Sequence, residues 1–394
     1  MAANPSRAAG DAGFSSRYRF KRIVAAPGGR IRDKLSTACW RNPIRNATVY
    51  VGTSGLMMKI PARFTFSVFA VVLPGWCGAC DLTAIASAID HEAFATAEAE
   101  LKALEAADQQ CDDILLQFGR LRFAQSNLTS AEDLFFRFIN AAPQDARGYY
   151  QIALLSLAKG DYRKADSASA VALARRPDYA EALVIQGRLL AMKGQPAEAR
   201  AALERACTLK PEDAEGHFEL GALFDRQKNY ADAVAQFEQV VAINPKDARA
   251  WDYLGLNREP LAQIEQADAA FRKGLEVNQG RWADSFLDYN YGRFLFKQNR
   301  LDESKQHLDR AVHLTPTVRA VHYEYAKVCL RMRNLAVARR EAENALELQD
   351  RGGVILDLQV YYLLQQIYAQ AGESELARKY AELSRTAAIP GRSR

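Results

Sequence analysis

The sequence predicts an all-α fold, a right-handed α-solenoid of stacked helix-turn-helix repeats of 34 residues each. Three columns of residues that recur at that single step predict it. Pro143, Pro177, Pro211 and Pro245 form the first column. Ala131, Ala165, Ala199, Ala233 and Ala267 form the second, and Gly119, Ala153, Gly187, Gly221 and Gly255 the third. A fixed period of a few tens of residues marks an architecture in which each unit buries its faces only against its neighbours.

The chain opens on a basic leader. Residues 1–63 hold twelve Lys/Arg and two acids, a formal +10 within a whole-chain net charge of +5, so the remainder is mildly acidic. Because the basic charge lies in the leader and not on the repeats, nucleic acid is not an expected partner. Met58-Lys59-Ile60-Pro61-Ala62-Arg63 is a short basic start, and Phe64 to Leu73 is an apolar run of ten residues. Pro74-Gly75 breaks the run, and Gly78-Ala79 offers a small-residue cleavage point. That order is the order of a secretory signal, so residues 58–79 are expected to be a signal peptide. Translation is then expected to start at Met57 or Met58, with residues 1–57 untranslated or disordered. The expected location is exported, periplasmic or extracellular. The alternatives are an organelle presequence and a lipoprotein anchored at the membrane through Cys80, since Gly78-Ala79-Cys80 matches the end of a lipobox. No apolar run reaches the roughly 18–20 residues of a membrane-spanning helix. Trp76-Cys77-Gly78-Ala79-Cys80 has the spacing of a thioredoxin redox motif, but repeat-type helices follow within about ten residues and no parallel-strand pattern appears. After cleavage behind Ala79, Cys80 would be lipidated, free or bonded to Cys111.

The repeats occupy residues 80–391. A degenerate first unit, 81–111, keeps Phe94, Ala97, Leu101 and Leu104. Eight units follow, at 112–145, 146–179, 180–213, 214–247, 248–281, 285–318, 319–352 and 358–391. In the unit 214–247, Leu220, Phe224, Ala233, Phe237 and Val240 fall at the i, i+3 and i+4 spacings of amphipathic helices. Lys228-Asn229 is the turn between the two helices. Asn244-Pro245 ends the second, because proline lacks an amide donor and restrains the residue before it. Gly221 and Ala233 stand where the two helices approach, and any side chain larger than methyl is expected to wedge them apart. Pro260 is expected to kink or shorten the first helix of its unit. Short insertions at 282–284 and 353–357 are expected to lengthen turns. The polar stretch 372–385 suits a terminal cap.

Trp251…Leu254-Gly255…Ala267…Phe271 and Leu220-Gly221…Phe224…Tyr230…Ala233…Phe237…Pro245 resemble the tetratricopeptide repeat, over about four-fifths of the chain. Within that family the chain is most similar in kind to exported bacterial scaffold proteins. The resemblance implies that the first helix of each unit lines an inner, concave groove that holds peptides. It places Leu116, Tyr150, Val184, Phe218, Asp252, Tyr289, Tyr323 and Tyr362 in one groove column. Four residues on come Arg120, Leu154, Arg188, Ala222, Leu256, Arg293, Lys327 and Gln366, and one turn further Phe123, Phe296 and Leu330. The candidate groove residues are Arg120, Phe123, Tyr150, Arg188, Phe218, Tyr289, Arg293, Phe296, Tyr323, Lys327 and Tyr362. Tyrosine supplies contact area with a hydroxyl, and arginine pairs a carboxylate through two donors. An extended peptide with apolar and acidic groups would suit such a track. The carboxylate clamp of chaperone-binding members needs paired Lys and Asn in these columns, and the Asn pattern is missing.

No constellation predicts catalysis, a metal site or a cofactor. Among the five histidines, His307 and His313 are six apart and do not share a helix face. His217 and His322 stand in the column of Tyr149 and Trp251 and are expected to pack. Glu341 and Glu343 are expected on a solvated face, and Cys207 and Cys329 as small buried hydrophobes. Phosphate-binding glycine loops and nucleophile elbows are missing. The expected function is a non-enzymatic scaffold or assembly factor that binds proteins or extended peptides. The alternative is a substrate-presenting accessory arm of a separate enzyme complex.

Overall fold

A computed structural model describes residues 82–106, 111–280, 283–348 and 355–387. The leader, the signal-peptide segment 58–79, Cys77 and Cys80 lie outside them. The described residues form eighteen helices and no strand. They pair as hairpins in chain order: α1 (Thr83–Asp90) with α2 (Phe94–Ala106), α3 (Asp112–Ala124) with α4 (Leu128–Ala141), and α5 (Ala146–Lys159) with α6 (Tyr162–Arg175). Next come α7 (Ala180–Met192) with α8 (Pro196–Leu209), α9 (Ala214–Arg226) with α10 (Tyr230–Ile243), and α11 (Ala248–Arg258) with α12 (Ile264–Val277). The last three are α13 (Leu287–Lys297) with α14 (Leu301–Leu314), α15 (Arg319–Arg331) with α16 (Leu335–Glu347), and α17 (Asp357–Gln370) with α18 (Ser374–Ala387). The second helix of each hairpin packs on the first helix of the next. First helices of successive hairpins also touch, α7 on α9, α11 on α13, α13 on α15 and α15 on α17, so they share one continuous face. This is an all-α solenoid of helical repeats.

Size matching holds each hairpin shut. A Cβ placed on Gly119 would lie 2.4 Å from the Phe135 ring, and one on Gly187 would lie 2.5 Å from Leu203. A Cβ on Gly292 would lie 2.7 Å from Leu308, whereas one on Gly221 would meet the Phe237 ring at 3.0 Å, a tight contact. The limit at Gly119, Gly187 and Gly292 is therefore hydrogen rather than methyl. Interiors are close-packed, so one added carbon there displaces a ring or a helix. Where the column holds alanine, the residue sixteen places on is small, Ser169 after Ala153 and Ala342 after Ala326, and all four are fully buried.

The hairpin turns repeat a backbone state as well. Glu92, Ser126, Gly160, Gly194, Lys228, Ala262, Asn299, Arg333 and Gly372 all have positive φ, between 57° and 79°. Helix α11 ends at Arg258 after 11 residues, whereas α5 runs for 14. Pro260 shortens it, since the ring cannot donate to the helical ladder. Asn127 caps α4 by accepting from the Ser130 amide at 3.2 Å.

A tether ties each of four hairpins to the loop before it. The Tyr149 hydroxyl donates to the Pro143 carbonyl at 3.1 Å, and Trp251 Nε1 donates to the Pro245 carbonyl at 2.9 Å. His217 and His322 use Nε2 on the Pro211 and Pro316 carbonyls, both at 3.0 Å. These two histidines pack as expected, and the hydrogen bond is what the column shares. Glu341 departs from expectation. It is buried, not solvated, and accepts from His322 Nδ1 at 2.7 Å. The two groups come together because α15 and α16 close face to face. Cys329 is buried and Cys207 half-buried, and burial pushes both thiols up to about 11.

Candidate functional site

The face made by the first helices differs along its length. At its N-terminal end the candidate cations are engaged within the chain. Arg120 donates to Gln117 at 2.9 Å and to Asp90 at 3.1 Å. Arg188 pairs with Glu219 at 3.6 Å, and burial raises the Glu219 carboxyl above its usual range. Tyr150 packs its ring 5.1 Å from Tyr179, and burial raises its hydroxyl pKa. Phe123 is half-buried against the core of α3 to α7. Phe218 is only 5% exposed. The Arg249 guanidinium lies 4.3 Å from its ring centroid, and Phe237 and Tyr253 flank it. Phe218 is thus core, because α9 turns this position into the seam with α10 and α11. Asp252 is fully buried and accepts from Asn290 Nδ2 at 2.6 Å.

The C-terminal end is open. On α13, Tyr289, Arg293 and Phe296 follow at i, i+4 and i+7, one helical stripe. On α15, Tyr323, Lys327 and Leu330 repeat the stripe one hairpin on. The Arg293 guanidinium lies 5.4 Å from the Tyr289 ring centroid. The Lys327 ammonium stands 5.4 Å from both the Phe296 and Tyr323 rings, bridging the two helices, and donates to Glu324 at 2.8 Å. Tyr362 on α17 is 57% exposed. A cleft of about 920 Å³ opens between α13, α15 and α17. Phe296, Leu330, Leu335 and Leu363 give it apolar walls. Lys327, Arg331 and Arg333 supply cations, and Gln366 and Gln370 supply amides. Arg331 and Arg333 are exposed, and no carboxylate pairs with either among the described residues. The geometry therefore brings together Tyr289, Arg293, Phe296, Tyr323, Lys327 and Tyr362 at one end of the stack. It leaves Arg120, Phe123, Tyr150, Arg188 and Phe218 apart from them.

Arg331, Arg333, Leu335, Leu363 and Gln370 line the cleft but fall outside the sequence columns. They come from the end of α15, the turn after it, the start of α16 and the flank of α17. The sequence signal for Arg333 is its place in the turn column that Gly160, Gly194 and Gly372 fill elsewhere. Among the described residues, no group of three or more His, Cys, Asp or Glu could hold a metal ion, and no helix is long and apolar enough to cross a membrane.

The family model described as Tetratricopeptide repeat matches residues 150–214, 193–248, 218–259 and 289–354. No curated protein matches the chain in sequence. Among solved structures, the chain is similar in fold to the APC/C hetero-tetramer Cut9-Hcn1, with 16% identity and a TM-score of 0.59. That likeness covers 70% of this chain and 52% of the other, so this chain spans about half the length of that relative. A tetratricopeptide repeat protein from Parabacteroides merdae is 17% identical, with a TM-score of 0.45 over 62% of this chain and 94% of that one. YrrB, described as a TPR protein with an unusual peptide-binding site, is 20% identical, with a TM-score of 0.37 over 48% of this chain and 95% of that one.

Proposed function

We propose that this chain, which matches the tetratricopeptide-repeat model over residues 150–259 and 289–354, is a non-enzymatic scaffold that holds a partner protein or extended peptide on its first-helix face at α13, α15 and α17. One observation carries the reading. Three successive hairpins line one open cleft with apolar, cationic and amide side chains, and Tyr289 and Arg293 on α13 and the exposed Tyr362 on α17 stand on the same first helices outside its lining. Rings and guanidinium groups of this kind dominate protein-binding surfaces, because they bury large area and still pair polar groups. A repeat array offers a surface of this sort along its length, and the partner is chosen by the residues on it.

The test is replacement of Tyr289, Arg293 and Tyr362 together by Ala. Lys327 is left in place because it holds Glu324. Cross-linking pull-down from the native cell is expected to lose its partner, with helical content and melting temperature unchanged. Unaltered capture by the folded variant overturns the reading.

The leader is read as an export signal on the basic start, apolar run and small-residue site of residues 58–79. Mass spectrometry of the native protein is expected to find an N-terminus near residues 78–81, and an intact Met1 would exclude export by this signal.

A further inference from the structure

Among the described residues, the walls of the α13–α15–α17 cleft carry Lys327, Arg331 and Arg333 and not one carboxylate. This is unusual in a solenoid whose described part is rich in paired charges. Arg120 meets Asp90, Arg188 meets Glu219, and Arg319 meets Asp357 at 2.5 Å. Lys327 pairs with Glu324 at 2.8 Å. Among the described residues, Arg331 and Arg333 thus have no carboxylate partner, at the edge of an apolar floor made by Phe296, Leu330 and Leu363.

We propose that this cleft binds an extended acidic peptide segment carrying one aromatic or large aliphatic side chain, with side-chain carboxylates on Arg331 and Arg333 and the apolar group on the Phe296–Leu363 floor. The inference rests on the scaffold reading and adds the chemistry of its ligand. Guanidinium forks match carboxylates with two parallel donors, which selects acid over its amide isostere. Exposed arginines without an internal partner lose no ion pair when the ligand arrives, so their attraction goes to the ligand. Gln366 and Gln370 lie one turn apart on α17, and each amide offers a donor and an acceptor to the backbone of an extended strand. Adjacent helices pack 8–10 Å apart, so α13 to α17 spans roughly 16–20 Å. At about 3.3 Å per residue, that corresponds to roughly six residues of extended peptide.

The experiment uses the full chain and an array of hexapeptides with a central Phe, in three series flanked by Asp/Glu, by Asn/Gln or by Lys. The acidic series is expected to bind at least tenfold tighter than the amide series and to weaken with added salt. Arg331→Glu with Arg333→Glu is expected to abolish that preference. The control pair Arg137→Glu with Arg205→Glu makes the same charge change at exposed sites on other hairpins and is expected to leave binding unchanged. Equal capture of acidic and amide peptides, or capture insensitive to the Arg331/Arg333 pair, overturns the acidic-ligand proposal while the scaffold reading stands. A fourth series, flanked by phosphoserine, separates the two anions: its capture without capture of the Asp/Glu series overturns the carboxylate assignment. Failure of every hexapeptide overturns the cleft as a peptide site, and the scaffold reading then stands or falls on the Tyr289/Arg293/Tyr362 variant alone.

Discussion

Phe271 lies across Gly255 so closely that a Cβ on the glycine would sit 2.6 Å from ring atoms Cε1 and Cζ. Phe271 itself is fully buried, stacked 5.3 Å from Tyr291 and tilted against Phe294 at 5.3 Å. The ring cannot retreat without disturbing the next hairpin. The missing side chain of one helix is thus the space for the large side chain of its partner.

Gly255→Ala is expected to destabilise the protein by about 1–3 kcal/mol through overpacking, against a gain in helix propensity of about 1 kcal/mol. Phe271→Ala alone is expected to cost about 3–5 kcal/mol, because it opens a cavity. The double variant recreates the Ala326 and Ala342 pairing. It should therefore cost less than the sum of the two, as read from a double-mutant cycle of urea unfolding. Strict additivity would show that the two positions do not share the space.

Ala262 stands in its hairpin turn at φ 57°, in the column where Gly160 and Gly194 stand in two other turns. An L-residue there sets Cβ against the neighbouring carbonyl, whereas glycine does not. Ala262→Gly is expected to raise stability by up to about 1 kcal/mol, the relief of strain exceeding the added entropy of the unfolded chain. Calorimetry should show a higher melting temperature, and a lower one refutes the strain argument.

Asp247 is fully buried and held by one residue. It accepts from the Arg249 amide at 3.1 Å, from Nε at 3.0 Å and from Nη2 at 2.7 Å. The same guanidinium reaches Glu215 of the preceding hairpin at 3.3 Å. Arg249→Ala strips a buried carboxylate of its cation and is expected to cost about 3–5 kcal/mol. Adding Asp247→Asn should recover part of the loss in chemical unfolding. No recovery would mean that the packing of Arg249 over Phe218 outweighs the charge.

His322 and Glu341 give the fold a pH dependence with two limbs. Burial disfavours a charged ring, but the Glu341 carboxylate and the Pro316 carbonyl, each accepting from one ring nitrogen, outweigh it and hold the His322 pKa above its usual 6.5. A raised folded pKa contributes stability that is complete below about 6.5 and is lost as pH rises through the folded value. Burial also opposes the Glu341 charge, but His322 and Arg340 hold that carboxyl below its usual 4.5. Its contribution is complete above about 4.5 and is lost as pH falls through the lowered value. His322→Gln is expected to flatten the decline of stability above pH ~6.5 in denaturant melts taken across pH. An unchanged slope in that variant would assign the decline to other groups.

The arrangement of helices was legible because it is local. Hydrophobic spacing, the turn before each second helix and the proline after it act within one unit, so α5, α7, α9 and α11 begin at Ala146, Ala180, Ala214 and Ala248 at a constant step. The stripe Tyr289–Arg293–Phe296 was legible for the same reason, since its spacing is a property of one helix. The size limit at Gly221 was half legible. The sequence shows a small residue but not the Phe237 ring that would meet a Cβ there at 3.0 Å.

By itself, the sequence determined the repeat, the helical class and the side of each hairpin that holds aromatic and cationic residues, because a period is written in one dimension. Only the tertiary structure decided which of those residues are available. Arg120 and Arg188 find carboxylates thirty or so residues away, Phe218 is closed over by Arg249, and Glu341 is drawn into the core by His322. Among the described residues, Arg331 and Arg333 find no such partner, and they face a cleft assembled from three hairpins. Charge pairing and desolvation depend on distances across the stack, and those exist only once the helices have packed.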